Sequence, residues 1–132
     1  MRIKSSVLSG LIAHAKNDLP IEACGVLAEK NGVIVHQYRL KNVDASPTHF
    51  TLDPQEQFEA HRDMQKKGLK LAAVYHSHPA TAARASQEDI KLAYDSGISY
   101  VIISLAEATE IIKSFKIRDQ QAIAEEIVII EG

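Results

Sequence analysis

Leu69-Lys70-Leu71-Ala72-Ala73-Val74-Tyr75-His76-Ser77-His78-Pro79 is the stretch whose reading decides the fold. Its first seven residues read as a buried strand. In an extended strand, residues i and i+2 point to the same side, about 6.6 Å apart along the chain. His76 and His78 therefore share a side, Ser77 faces the other way, and Pro79 ends the strand and lets the chain turn back. Seven residues, Pro79 to Ala85, separate His78 from Ser86-Gln87-Glu88-Asp89. That second segment reads as a helix start, with Asp89 in the first turn.

Two imidazoles on one strand face can converge on a metal at about 2.0–2.1 Å from each nitrogen, and a carboxylate at the next helix start can supply a third ligand. His76, His78 and Asp89 are thus candidate zinc ligands. Three protein ligands leave a fourth position for water, the mark of a catalytic rather than a structural zinc. Such a site needs a general base to manage the proton. Glu22, in Pro20-Ile21-Glu22-Ala23-Cys24-Gly25, is the candidate, because it stands at the mouth of an otherwise apolar strand.

An upstream glutamate, then His-x-His-Pro, then Ser-x-x-Asp at this spacing resembles the JAMM (MPN+) metallopeptidases, in particular their compact prokaryotic JAB-domain members. The match falls on Glu22, His76, His78, Ser86 and Asp89, and the likeness covers about residues 5–115. The resemblance implies a cytidine-deaminase-like fold, one Zn²⁺, and hydrolysis of a peptide or isopeptide bond. It implies His76, His78 and Asp89 as metal ligands. Glu22 would take a proton from the attacking water and pass it to the leaving amine. Ser86 would help stabilise the oxyanion, a contribution typically of about 2.7–4 kcal/mol. Many members carry proline before the motif serine; here it is Ala85. The larger eukaryotic deubiquitinases of the family carry insertions that grip ubiquitin. Here only 43 residues follow Asp89. Compact members are associated with the C-terminal tails of small ubiquitin-like or sulfur-carrier proteins, and such a substrate is expected.

Working outward, the strand lies in an α/β (α+β) pattern with a mixed sheet flanked by helices. Upstream, Val7, Leu8, Leu11, Ile12 and Ala15 recur at helical spacing, so residues from Ser5 or Ser6, as cap, to about Asn17 form an amphipathic helix rather than a secretory leader. Asn31-Gly32 between apolar runs predicts a hairpin. Residues 40–50 read as extended or loop. Asp53-Pro54-Gln55-Glu56 predicts a helix start with a capping box, and Gly68 its stop. Downstream, the helix from Ser86 should run to Gly97. Ile98–Ser104, Ile111–Phe115 and Ile127–Ile130 read as strands, the last an edge through which a homodimer could form. Thr48-His49-Phe50-Thr51 precedes the Asp53 helix and is placed to flank the substrate groove. His14, His36, His49 and His61 lack ligand spacing and are expected to be surface or structural.

The chain has 132 residues, 45% apolar and 24% charged, consistent with a single domain over 1–132. A net charge of −2 argues against nucleic acid as the main partner. No apolar run approaches the roughly 20 residues needed to cross a bilayer. The single cysteine, Cys24, excludes an internal disulfide and favours a reducing, cytoplasmic setting. It also excludes the Pro-Cys-x-x-Cys ligand pair of the zinc nucleoside deaminases. Cys24 reads as a small buried thiol, with a place beside the metal as the sharper alternative. A non-catalytic zinc-binding scaffold of the same fold, or a protein-interaction module, is the alternative to a hydrolase, and would not need Glu22.

Overall fold

The computed structural model describes residues 1–93 and 95–132. In chain order its elements are β1 (Arg2–Lys4), α1 (Ser5–Asn17), β2 (Cys24–Lys30), β3 (Val33–Leu40), α2 (Pro54–Lys67) and β4 (Lys70–His78). They continue as α3 (Gln87–Leu92), β5 (Ser99–Ser104), β6 (Ile111–Arg118), β7 (Gln121–Glu125) and β8 (Val128–Ile130). The strands form one sheet in the order β7-β6-β5-β4-β2-β3-β1-β8. β4 lies in its middle, antiparallel to β2 and parallel to β5. The sheet is mixed and flanked by helices, as the sequence predicts.

Strand alternation assigns β4 two different faces. Ala73 and Tyr75 pack with Val7, Leu11 and Ala15 of α1, and with Leu27, Val101 and Ile103 of neighbouring strands. Val74 packs on the opposite face with Val26, Leu40, and Ala60 and Met64 of α2. His76 and His78 continue the Val74 face, so the histidines emerge on the α2 side at the C-terminal end of the central strand. Burial of β4 on both faces explains why it reads as a continuous apolar run.

Local signals account for the elements that frame it. The β2–β3 hairpin turns at Asn31 and Gly32, with φ of 53° and 80°. A two-residue turn of this hand matches the twist of the paired strands. Asp53 caps α2, accepting from the Gln55 and Glu56 N–H groups, and Gly68 ends it in the left-handed region at φ 67°. The expected capping box at α2 is only half present. The Glu56 carboxylate accepts from Lys41 N–H instead, at 2.7 Å, while Asp53 N–H donates to the Lys41 carbonyl.

Three other expectations change. Neither Ser5 nor Ser6 caps α1; Lys4 holds that position without a side-chain cap, because β1 runs straight into the helix. α3 stops at Leu92 rather than at Gly97, with Ala93 extended at φ −74°, ψ 114°; Tyr94, within the predicted helix, lies outside the described residues. β1 and β7 are additional strands, and β8 pairs with β1 in parallel at the sheet edge. Among the described residues, no helix is long and apolar enough to cross a membrane.

Candidate metal centre and adjoining groove

β4 delivers His76 and His78, and the loop from Pro79 returns the chain so that α3 begins against them. Ser86 is the N-cap of α3 and Asp89 its third residue. Ser86 Oγ accepts from Asp89 N–H at 3.0 Å, and Asp89 Oδ2 accepts from Ser86 N–H at 2.9 Å. This reciprocal box satisfies two end groups of a six-residue helix that buries no residue of its own. It also aims the Asp89 carboxylate at the histidines.

Donor atoms of the three side chains converge, and the carboxylate meets the two histidines with different oxygens. His76 Nε2 lies 3.1 Å from His78 Nε2, His76 Nε2 lies 3.2 Å from Asp89 Oδ1, and His78 Nε2 lies 3.4 Å from Asp89 Oδ2. Ligands 2.0–2.1 Å from a tetrahedral ion would be about 3.3–3.4 Å apart, so the histidine–histidine and the two histidine–carboxylate separations are each close to those of ligands sharing one ion. His78 Nδ1 donates to the Ala82 carbonyl at 2.8 Å. A carbonyl can only accept, so in the neutral ring the Nε2 of His78 carries the lone pair, as a ligand must. The His76 ring is clamped by Phe50, stacked 4.5 Å away at 22°. Among the described residues, this is the only group of three or more His, Cys, Asp or Glu side chains with metal-ligand spacing.

Two buried imidazoles facing a carboxylate at this distance call for a shared cation. Burial works against protonation of both rings. It prevails at His76, which is held below its ordinary value, and is overcome at His78 by hydrogen bonds to Asp89 and the Ala82 carbonyl. Burial likewise works against the Asp89 carboxylate, but its bonds to both histidines outweigh that and hold it ionised, well below the usual range.

Glu22 precedes β2 and is only 4% exposed. Cys24 pairs with His76, and Ser77 N–H donates to the Ala23 carbonyl, so Glu22 lies across from His78. Burial pushes its carboxyl up to about 7; the field of His78 opposes this and that of Asp89 adds to it. Cys24 is also buried on this side, but its thiol donates to the Leu40 carbonyl and is not among the three grouped donors. Burial, with Asp18 and Glu22 nearby, pushes it up to about 12. It is a buried, inert thiol.

A groove of about 330 Å³ opens beside this cluster, lined by His76 and Asp89 and by Leu52, Val74, Leu92, Tyr100, Ile102 and Ile117. His49, Phe50 and Thr51 form its other wall, where the sequence places them. The loop that carries them is anchored by Asn42, a residue that no motif or periodicity singles out. His14, by contrast, sits on the α1 side, between Asp18 at 3.1 Å and the Tyr75 hydroxyl at 2.6 Å.

The model for prokaryotic homologs of the JAB domain matches residues 4–118. The chain is 33% identical to the CysO-cysteine peptidase of Mycobacterium tuberculosis, over 98% of this chain and 90% of that one. It is 34% identical to a probable TtuB-protein conjugate cleaving protease of Thermus thermophilus, over 85% and 72% of the two chains. A JAB1/MPN domain protein of Archaeoglobus fulgidus superposes with a TM-score of 0.69 at 20% identity, covering 98% and 97% of the two chains, a likeness of fold. Fold, metal-ligand geometry and relatives together define a hydrolase of the JAMM metalloprotease type. The chain belongs to the prokaryotic JAB-domain family.

Proposed function

We propose that the chain is a zinc-dependent peptidase or isopeptidase that cuts at the C-terminal tail of a small ubiquitin-like or sulfur-carrier protein. In this reading residues 1–132 act as one domain, with His76, His78 and Asp89 as the zinc ligands. The single observation that carries it is the convergence of His76, His78 and Asp89, with donor atoms paired at 3.1–3.4 Å, beside a buried glutamate and a groove. The names of two relatives, one acting on a CysO–cysteine species and the other on TtuB conjugates, support the substrate class.

Zinc in such a site acts as a Lewis acid that lowers the pKa of water and polarises a carbonyl oxygen. The remaining work falls to the chain. Glu22 takes the proton of the attacking water, and burial that raises its affinity to about 7 suits it both to accept a proton and to release it at neutral pH. It then hands that proton to the amine that leaves. Ser86 Oγ spends a lone pair on Asp89 N–H, which keeps its O–H free to donate to the oxygen that gains charge. The groove receives the substrate on apolar side chains and shields the reacting bond from bulk water.

The test uses a ubiquitin-fold protein extended beyond its C-terminal Gly-Gly. The wild-type chain is expected to remove the extension and Glu22→Gln to lose that cleavage while keeping the metal. Cleavage by Glu22→Gln at the wild-type rate would end the assignment of the base, and no cleavage by the wild type would end that of the substrate class.

A further inference from the structure

Asn42 is buried at 7% exposure, just past the end of β3, and its side-chain hydrogen bonds go to Glu22, His49, Asp44 and Thr51. All four hydrogen-bonding positions of its side chain are filled. Nδ2 donates to the Glu22 carbonyl and to the His49 carbonyl, each at 3.1 Å. Oδ1 accepts from Asp44 N–H and Thr51 N–H, also at 3.1 Å each. These partners determine the orientation of the amide, since carbonyls can only accept and backbone N–H groups can only donate. No other side chain of this size supplies two donors and two acceptor sites in this arrangement.

The bonds join two parts of the site that are far apart in sequence. Glu22 is held at both ends of its backbone by the loop after β3, its N–H on the Ser46 carbonyl at 2.9 Å and its C=O on Asn42. The same loop supplies the groove wall of His49, Phe50 and Thr51, and Phe50 stacks on His76. Asp44 tightens the loop tip by accepting from Thr51 Oγ1 at 2.7 Å and pairing with His49 Nδ1 at 3.1 Å.

We propose that Asn42 is a positioning residue that locks the Glu22 backbone to the 42–51 wall, so that the base and the substrate surface keep one mutual geometry. The inference rests on Glu22 being the base. Asn42 acts through Glu22 and does not meet the substrate. Displacing a reacting group by about 1 Å can cost about a hundredfold in rate.

Asn42→Asp separates the two halves of the side chain. It keeps the acceptor toward Asp44 and Thr51 and replaces the donor toward Glu22 and His49 with an oxygen that repels both carbonyls. With the extended ubiquitin-fold substrate, kcat per zinc-loaded chain should fall about a hundredfold, with KM little changed and one zinc still bound per chain. A merely structural role would lower the folded fraction and the melting temperature but leave kcat of the zinc-loaded chain intact. Asn42→Ala, which adds no charge, is measured in the same way and decides the matter should Asn42→Asp fail to fold. Wild-type kcat in a folded Asn42 variant, with Glu22→Gln inactive, overturns the positioning role alone. Wild-type kcat in Glu22→Gln overturns the base assignment beneath it.

Discussion

Glu22→Gln should make the metal-free protein more stable at pH 8 while destroying its activity. Burial raises the Glu22 carboxyl from an ordinary 4.5 to about 7. Below about pH 4.5 the group is protonated in both the folded and unfolded chain, and nothing is lost. Between that pH and 7 the unfolded chain ionises and the folded chain resists, so wild-type stability falls as pH rises. Above 7 the penalty is constant. At about 1.4 kcal/mol for each tenfold change in proton affinity, it amounts to about 3 kcal/mol. Glutamine has nearly the same shape and no charge, so the variant escapes the penalty. Urea unfolding of chelated protein measures the difference, and groups common to both chains cancel. Chelation matters, because a cation in the site would itself favour the carboxylate. The variant should exceed wild type by about 3 kcal/mol at pH 8 and match it near pH 4.5. A variant equal to or less stable than wild type at both pH values would refute the claim that Glu22 is a charge held at a cost.

Two further substitutions probe the scaffold and the helix start. At Gly25 an added Cβ would lie 2.2 Å from the Tyr38 carbonyl oxygen and 2.5 Å from the Tyr75 ring. Gly25→Ala should cost about 1–3 kcal/mol or more, read as a lower melting temperature; an unchanged one would contradict the close packing of β2 on Tyr75. Ser86→Ala removes both the cap and the O–H donor. It should cost about 1 kcal/mol in stability and lower kcat about a hundred- to a thousandfold while zinc is retained. Unchanged kcat would reduce Ser86 to a cap.

The parts of the fold written in local chemistry were legible in the sequence. Asn31-Gly32 announces a hairpin because few residues accept positive φ, and Asp53-Pro54 with Gly68 brackets α2 by its end groups. The cluster of His76, His78 and Asp89 was legible because strand period and helix start bring its three members together over fourteen residues, His76 to Asp89. What escaped depends on partners distant in sequence. β1 is three residues whose strand character comes from pairing with β3 and β8. Glu56 satisfies the rule for a capping box and yet turns to Lys41, a residue from a different part of the chain. α3 ends early at Leu92, although Gly97 is the nearest stop signal in the sequence. Asn42 carries no motif at all, and its importance lies in four partners supplied by a folded loop and by Glu22.

Metal content of the purified chain, measured beside cleavage of the extended ubiquitin-fold substrate, tests the central claim most directly. The account predicts one zinc per wild-type chain, activity lost on chelation and restored by zinc, and neither zinc nor activity in Asp89→Ala. A wild-type chain without zinc after exposure to it, or an Asp89→Ala chain that binds zinc as tightly and cleaves as fast as wild type, would contradict it.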